Sequence, residues 1–209
     1  MKLYGFPLSP NTRKVQALAL HLGIPLEIQV VNLLAGEQKN PDYLKINPAG
    51  RTPTLVDDGI VLPESNAIMQ YIAAKAGDNP VWPKDEKQRA LINARMCWQL
   101  DHWNRACNLL TWENMLKKLF NAGDPDSAEV KRGEQLFNTF AGELNSRLKG
   151  RDYLVGNNLT LADYAVAAPL EYAEAAHFPM GAYGDIRRWY AGIAKLDAWR
   201  KTAPQGGAA

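Results

Sequence analysis

Arg51-Thr52-Pro53-Thr54-Leu55-Val56-Asp57-Asp58-Gly59-Ile60-Val61-Leu62-Pro63-Glu64-Ser65-Asn66-Ala67-Ile68 reads as a hairpin followed by a helix. Thr54-Leu55-Val56 and Ile60-Val61-Leu62 are short apolar runs either side of Asp57-Asp58-Gly59, and an Asp-Gly turn between such runs is a strong hairpin signal. Ile68, Met69, Ile72, Ala73 and Ala76 then recur at helical spacing and stop at Gly77, a residue type suited to a helix end. Upstream, Leu3-Tyr4-Gly5-Phe6 forms a short apolar run that stops at Pro7. Val15, Leu18, Ala19 and Leu22 follow at helical spacing before Gly23, and Leu26, Ile28 and Val30 alternate with Glu27 and Gln29 as a strand does. Residues 32–50 read as a polar connection punctuated by Gly36, Pro41, Pro48 and Gly50. The order is β-α-β and then β-β-α. A crossover helix followed by a hairpin predicts a mixed sheet packed by helices.

Downstream the period changes. Residues 78–84, Asp-Asn-Pro-Val-Trp-Pro-Lys, read as a linker with two prolines. Beyond them only helical spacings occur. Asp85 and Gln88 suggest a capping box for a long helix running toward residue 120. Gly123-Asp124-Pro125 breaks it, and Val130, Leu136, Phe137, Phe140, Leu144 and Leu148 form the next stripe, ended by Gly150. Two further helices are expected, one after Thr160 and one near 185–200, with a frayed Gly-Gly-Ala-Ala tail. The predicted organisation is an α/β domain over 1–77, a linker over 78–84 and an all-helical domain over 85–209.

Bulk properties narrow the function. Of 209 residues, 46% are apolar and the net charge is +2, so a sizeable core is available and no basic footprint for nucleic acid exists. No apolar run approaches the roughly 20 residues needed to span a bilayer, and Met1-Lys2-Leu3-Tyr4-Gly5-Phe6-Pro7 lacks the apolar centre of a signal peptide. Two cysteines, Cys97 and Cys107, and three scattered histidines, His21, His102 and His177, form neither a disulfide framework nor a metal-ligand spacing. A cytoplasmic protein that binds neither membrane nor nucleic acid is expected.

Three stretches can carry chemistry. Ser9-Pro10-Asn11-Thr12-Arg13 lies between the first strand and the first helix, where Pro10 suits the first turn. Ser9 there is either an ordinary N-cap or a donor beside a helix N-terminus able to hold an anion such as a thiolate. Arg51-Thr52-Pro53-Thr54 precedes a strand, and residue physics alone favours a trans bond at Pro53. Pro63-Glu64-Ser65-Asn66 precedes a helix; Ser65 can cap it, and Glu64 sets a carboxylate beside its dipole.

Taken in order, these motifs resemble those of the serine-type glutathione transferases, especially phi members and theta-like bacterial members. The likeness rests on Ser9, Thr12 and Arg13; on Gly36, Glu37 and Lys39; on Asn47-Pro48-Ala49-Gly50-Arg51-Thr52-Pro53-Thr54-Leu55; on Glu64-Ser65 with Ala67-Ile68; and on Leu159-Thr160-Leu161-Ala162-Asp163. The last is a folding device, with Thr160 and Asp163 as a capping box. The resemblance implies a thioredoxin-like N-terminal domain that binds glutathione and a helical C-terminal domain that holds the second substrate.

The resemblance also implies roles. Ser9 donates a hydrogen bond to the glutathione sulfur, with the Asn11 amide and Arg13 as further candidates. A cis bond at Pro53 sets the Thr52 backbone to pair with the cysteinyl main chain. Ser65 receives the γ-glutamyl carboxylate, and Glu64 faces the γ-glutamyl ammonium or tunes the site through Arg51. Gln38 and Lys39 suit the glycyl carboxylate, although Gln38 stands where a histidine is commoner. Asp101 reaches the glutathione of a neighbouring subunit. Lys39 as a solvated side chain and Arg51 as a surface ion pair are the plainer alternatives. Tyr4 lies too early in its strand for a tyrosine-type site, and neither cysteine stands where Ser9 does. Trp98, Trp103, Trp112 and Met115 are possible walls for the second substrate, with core or dimer packing the more ordinary use. The expected activity is conjugation of glutathione, as a co-substrate, to small apolar electrophiles by a homodimer with no metal or redox cofactor. Dehalogenase, isomerase or peroxidase variants and a non-catalytic ligand-binding or interaction module are the alternatives.

Overall fold

The computed structural model describes residues 1–204; the tail read as frayed lies outside the described residues. Two compact units are present, Met1–Trp82 together with the segment from Lys195, and Pro83–Ala194. The sequence reading places everything after residue 84 in the helical domain. The segment from Lys195 belongs instead with the first unit, for a reason found in the first helix.

In the first unit the elements run β1 (Lys2–Gly5), α1 (Pro10–His21), β2 (Glu27–Val30), a 3-10 turn (Glu37–Lys39), α2 (Pro41–Ile46), β3 (Thr54–Asp57), β4 (Ile60–Pro63) and α3 (Ser65–Lys75). The sheet order is β2-β1-β3-β4. β1 pairs parallel to β2 and antiparallel to β3, which pairs antiparallel to β4, so the sheet is mixed as expected. Leu3 aligns with Leu55 in neighbouring strands, and both are fully buried. The hairpin closes on Asp58 and Gly59, both at positive φ, which is the backbone a two-residue turn needs to match strand twist. Asp57 accepts from Tyr71 at 2.9 Å and Lys75 at 2.5 Å, tying the strand end to α3.

The connection over 32–50 is not structureless, because α2 lies within it. Pro41 at its first turn removes only a donor that a helix start leaves unpaired anyway. Six residues are too few to display a period, so the sequence reading passes over it. α1 packs against α3, and its Arg13 explains the C-terminal segment. Arg13 is buried, donates to the Trp199 carbonyl at 2.8 Å, and lies over the Trp199 ring at 4.4 Å.

The second unit begins with α4 (Glu86–Trp98), capped by the Asp85 side chain, which accepts from the Gln88 amide at 2.7 Å. The run toward residue 120 continues through π-helical Gln99–Trp103, α5 (Asn104–Thr111), π-helical Trp112–Leu116 and α6 (Lys117–Leu119). α7 (Ser127–Leu148) starts on an Asp126 cap, followed by α8 (Leu161–Ala167), 3-10 turns at Ala168–Tyr172 and Met180–Ala182, and α9 (Gly184–Ala194). The helix expected near 185–200 is thus two, because α10 (Asp197–Lys201) is separate and lies with the first unit.

Asp163 organises this unit. It is fully buried and accepts from the Leu154 amide at 2.9 Å, the Thr160 amide at 2.8 Å, the Thr160 hydroxyl at 2.9 Å and Trp189 Nε1 at 3.0 Å. Trp103 is core: it is buried, packs on Phe137 and donates to the Val166 carbonyl at 3.0 Å. Trp98 donates to Glu143 at 3.0 Å, whereas Trp112 stays partly exposed beside Phe120. Among the described residues no helix is long and apolar enough to cross a membrane.

Candidate functional site

The first unit sets the N-termini of α1 and α3 against each other. Ser65 Oγ donates to Asn11 Oδ1 at 3.3 Å, so the first turns of both helices are joined. Each start leaves backbone N–H groups without an intrahelical acceptor, and each carries the positive end of a helix dipole. Asn11, Arg51, Thr52, Pro53, Glu64 and Ser65 line one cavity of about 140 Å³ here, together with Asn47, Ala49 and Pro63.

Ser9 is the N-cap residue of α1, in extended backbone, and its side chain makes no cap hydrogen bond. The hydroxyl is not spent on capping, which is the ordinary use of a serine there. Ser9 is absent from the cavity lining but stands two residues before Asn11. Its turn is tight: Thr12 Oγ1 accepts from the Phe6 amide at 3.2 Å. A Cβ on Gly5 would come within 2.5 Å of Thr12 Cγ2, so β1 and α1 approach this closely only because residue 5 is glycine.

Ser65 is not the cap of α3. That position belongs to Glu64, whose φ is 68° and whose side chain makes no cap hydrogen bond. A non-glycine residue at positive φ is held there by its surroundings at an energetic cost. Ser65 is the first helical residue, is nearly buried, and turns its hydroxyl toward Asn11.

The Thr52–Pro53 peptide is cis. The Arg51 carbonyl before it accepts from Tyr43 at 2.5 Å and from Asn47 Nδ2 at 3.0 Å. Asn47 also donates to Thr54 Oγ1 at 2.9 Å, and its own Oδ1 accepts from the Ala49 amide at 3.1 Å. Asn47 and Tyr43 thus shape this wall, and neither was singled out as a site residue from sequence. The signal was Asn47-Pro48, since an asparagine side chain readily bonds its own backbone two residues on.

Arg51 and Lys39 are exposed and join no ion pair among the described residues, so Arg51 is not the surface salt bridge of the plainer reading. Gln38 sits in the 3-10 turn, its carbonyl close against Gly50, and its Oε1 is buried without a hydrogen bond. Arg13 is not brought to the cavity, because its guanidinium is committed to Trp199. Asp101 is exposed in the second unit, 3.3 Å from His102.

Lys14 was missed entirely. It is fully buried, and its Nζ donates to Asn66 Oδ1 at 2.7 Å. Burial pulls its pKa from 10.5 down to about 7, with Glu64 pushing weakly the other way. Unfolded chain keeps this proton up to about pH 10.5 while folded protein releases it above about 7, so stability rises with pH between those values. Lys14→Met removes the titration. The variant should gain stability relative to wild type near pH 7, and the gain should shrink toward pH 10 by up to about 1.4 kcal/mol per pH unit. Urea denaturation across that range checks this; parallel curves would contradict it.

The same fold recurs in known proteins. Residues 3–80 match the family model "Glutathione S-transferase, N-terminal domain", and 112–197 match "Glutathione S-transferase, C-terminal domain". Glutathione S-transferase D7 of Drosophila melanogaster is 32% identical over 198 residues, covering 94% of this chain and 85% of that protein. The crystal structure of glutathione transferase F7 from Populus trichocarpa superposes with a TM-score of 0.88 at 27% identity, covering 97% of each chain. A delta-class glutathione transferase of Nilaparvata lugens superposes with a TM-score of 0.78 at 29% identity, covering 98% of this chain and 90% of that one. With a thioredoxin-like unit, a helical unit and full-length likeness to these proteins, the chain belongs to the glutathione S-transferase family and is a glutathione transferase.

Proposed function

We propose that this transferase holds glutathione in the cavity between α1 and α3 and joins its thiolate to small apolar electrophiles, as in detoxification. The observation that carries the reading is the convergence of Asn11, Arg51, Thr52, Pro53, Glu64 and Ser65 on one cavity at two helix N-termini. Glutathione is a peptide with two carboxylates, an ammonium and a thiol. The free N–H groups at the start of α3, with the Ser65 hydroxyl, suit its γ-glutamyl carboxylate. Glu64 suits the ammonium. The Thr52 backbone suits the cysteinyl main chain as a short added strand, and Gln38, Lys39 and Arg51 suit the glycyl carboxylate. Ser9 faces the sulfur with a hydroxyl that no cap bond occupies. Charge-assisted donation favours thiolate over thiol, and the α1 dipole adds to it. A thiol pKa near 8.5 falls toward neutrality, and tethering both reactants lowers the encounter cost.

No metal or redox cofactor takes part in this scheme, because the thiolate is itself the nucleophile. Of the side chains named for the second substrate, Trp98, Trp112 and Met115 remain candidates once Trp103 is assigned to the core. The protein works as a cytoplasmic homodimer, with Asp101 offered to the partner's glutathione. Sedimentation at micromolar concentration should show a dimer; a lone monomer would contradict that assembly.

Turnover with glutathione and 1-chloro-2,4-dinitrobenzene, extended to a panel of electrophiles, tests the activity. Conjugates are expected, and silence across the panel would contradict it. Ser65→Ala tests the seat. Its bond to Asn11 is long, so stability should drop by less than about 1 kcal/mol, while glutathione affinity should fall roughly tenfold or more, as for a hydrogen bond to a charged group. Calorimetric titration beside thermal denaturation separates the two; intact affinity with lost stability would make Ser65 structural only.

A further inference from the structure

Lys14 is the one lysine with no exposed surface among the described residues. Below about pH 7, where the side chain keeps its proton, its charge is held in the interior by the 2.7 Å bond to Asn66. Stability alone does not account for it, since an apolar side chain of similar size serves a core as well or better than a buried ion. Its place is informative. Asn66 is the second residue of α3 and is itself nearly buried, directly after Ser65 and Glu64 on the cavity wall. α1 therefore reaches the start of α3 with two polar groups one turn apart, Asn11 to Ser65 on the cavity side and Lys14 to Asn66 behind it. Glu64, beside Ser65 on the cavity wall, is exposed. The first turn of α3 is thus backed by an interior cation and fronted by a carboxylate. That is the charge pattern of a seat for a zwitterionic α-amino-acid head.

We propose that Lys14 is a positioning residue for the γ-glutamyl carboxylate of glutathione, acting from inside the protein through Asn66 and its own field on the first turn of α3. The assignment rests on the reading of Ser65 as that carboxylate's seat. Lys14 touches no ligand. It fixes the Asn66 side chain and adds positive potential in a poorly screened interior, where charges act more strongly than at the surface. Neutral spacing at this position leaves the cavity intact and weakens only ligands that carry the carboxylate.

The test is calorimetric titration at pH 6, where Lys14 carries its proton, with two thiol-blocked ligands: S-methylglutathione, and its analogue with 4-aminobutyryl in place of the γ-glutamyl residue, which keeps the amine and lacks the carboxylate. Wild type should bind S-methylglutathione more tightly by tenfold or more, the worth of a charge-assisted seat. In Lys14→Met that advantage should shrink roughly tenfold, with the analogue's affinity unchanged. Equal weakening of both ligands, or of neither, overturns the proposal. If wild type itself binds both alike, the seat at Ser65 is what fails, and the role of Lys14 falls with it. Should Lys14→Met fail to fold, Asn66→Asp sets a carboxylate against the ammonium at a helix N-terminus, where an acid is tolerated. It must weaken S-methylglutathione selectively, and equal or absent loss overturns the proposal in the same way.

Discussion

Ser9→Ala should lower kcat/KM for conjugation at neutral pH by one to two orders of magnitude, about 1.4–2.7 kcal/mol in the barrier, while leaving the fold intact. The two parts of this expectation come from one observation. An N-cap serine usually stabilises its helix through its hydroxyl, and losing that costs about 1 kcal/mol. The Ser9 hydroxyl makes no such bond, so little stability is at stake. What the proposed role of Ser9 puts at stake is a donor to sulfur. Steady-state kinetics beside a thermal melt check both parts. An unchanged rate would shift the sulfur contact to the amides of Asn11 and Thr12, because Arg13 is already engaged by Trp199.

The largest expected loss of stability is that of Asp163→Ala, and it comes without any contact to the cavity. Burial pushes the Asp163 carboxyl up, and four hydrogen bonds counter it. Removing the carboxylate strands the amides of Leu154 and Thr160 and the indole N–H of Trp189 in the interior. A buried unpaired donor costs about 1–3 kcal/mol, so the variant should lose roughly 3–5 kcal/mol, at the severe end for single substitutions. A urea midpoint shifted by less than about 1 kcal/mol equivalent would contradict this. Activity per folded molecule should change far less than yield.

The hairpin, α1 and α3 were legible because period and turn chemistry agree: Asp58-Gly59 demands positive φ, and Gly23 and Gly77 end their helices at positive φ. α2 was not legible, since one and a half turns show no stripe. The π segments at 99–103 and 112–116 were invisible because the apolar spacing runs through them with only a local slip. The C-terminal segment was misassigned because what binds it is a contact between Arg13 and Trp199, 186 residues apart, and local patterns do not encode such distances.

At the site, the cavity-lining residues Asn11, Arg51, Thr52, Pro53, Glu64 and Ser65 were named from motifs, whereas the division of labour at α3 was not. A serine before a helix reads as a cap, yet the cap is Glu64 in a strained backbone. Lys14 was passed over because lysines are rarely buried. Its place was nonetheless readable: it falls on the stripe of Val15 and Leu18, where a charged residue needs a partner.

The central claim is that Ser9 and the start of α1 stabilise the thiolate of glutathione. It is tested most directly by following the ultraviolet absorbance of bound thiolate against pH in wild type and Ser9→Ala, each saturated with glutathione. Wild type should titrate well below the free value of about 8.5, and Ser9→Ala should titrate one to two pH units higher than wild type. Coincident titration curves would contradict the claim.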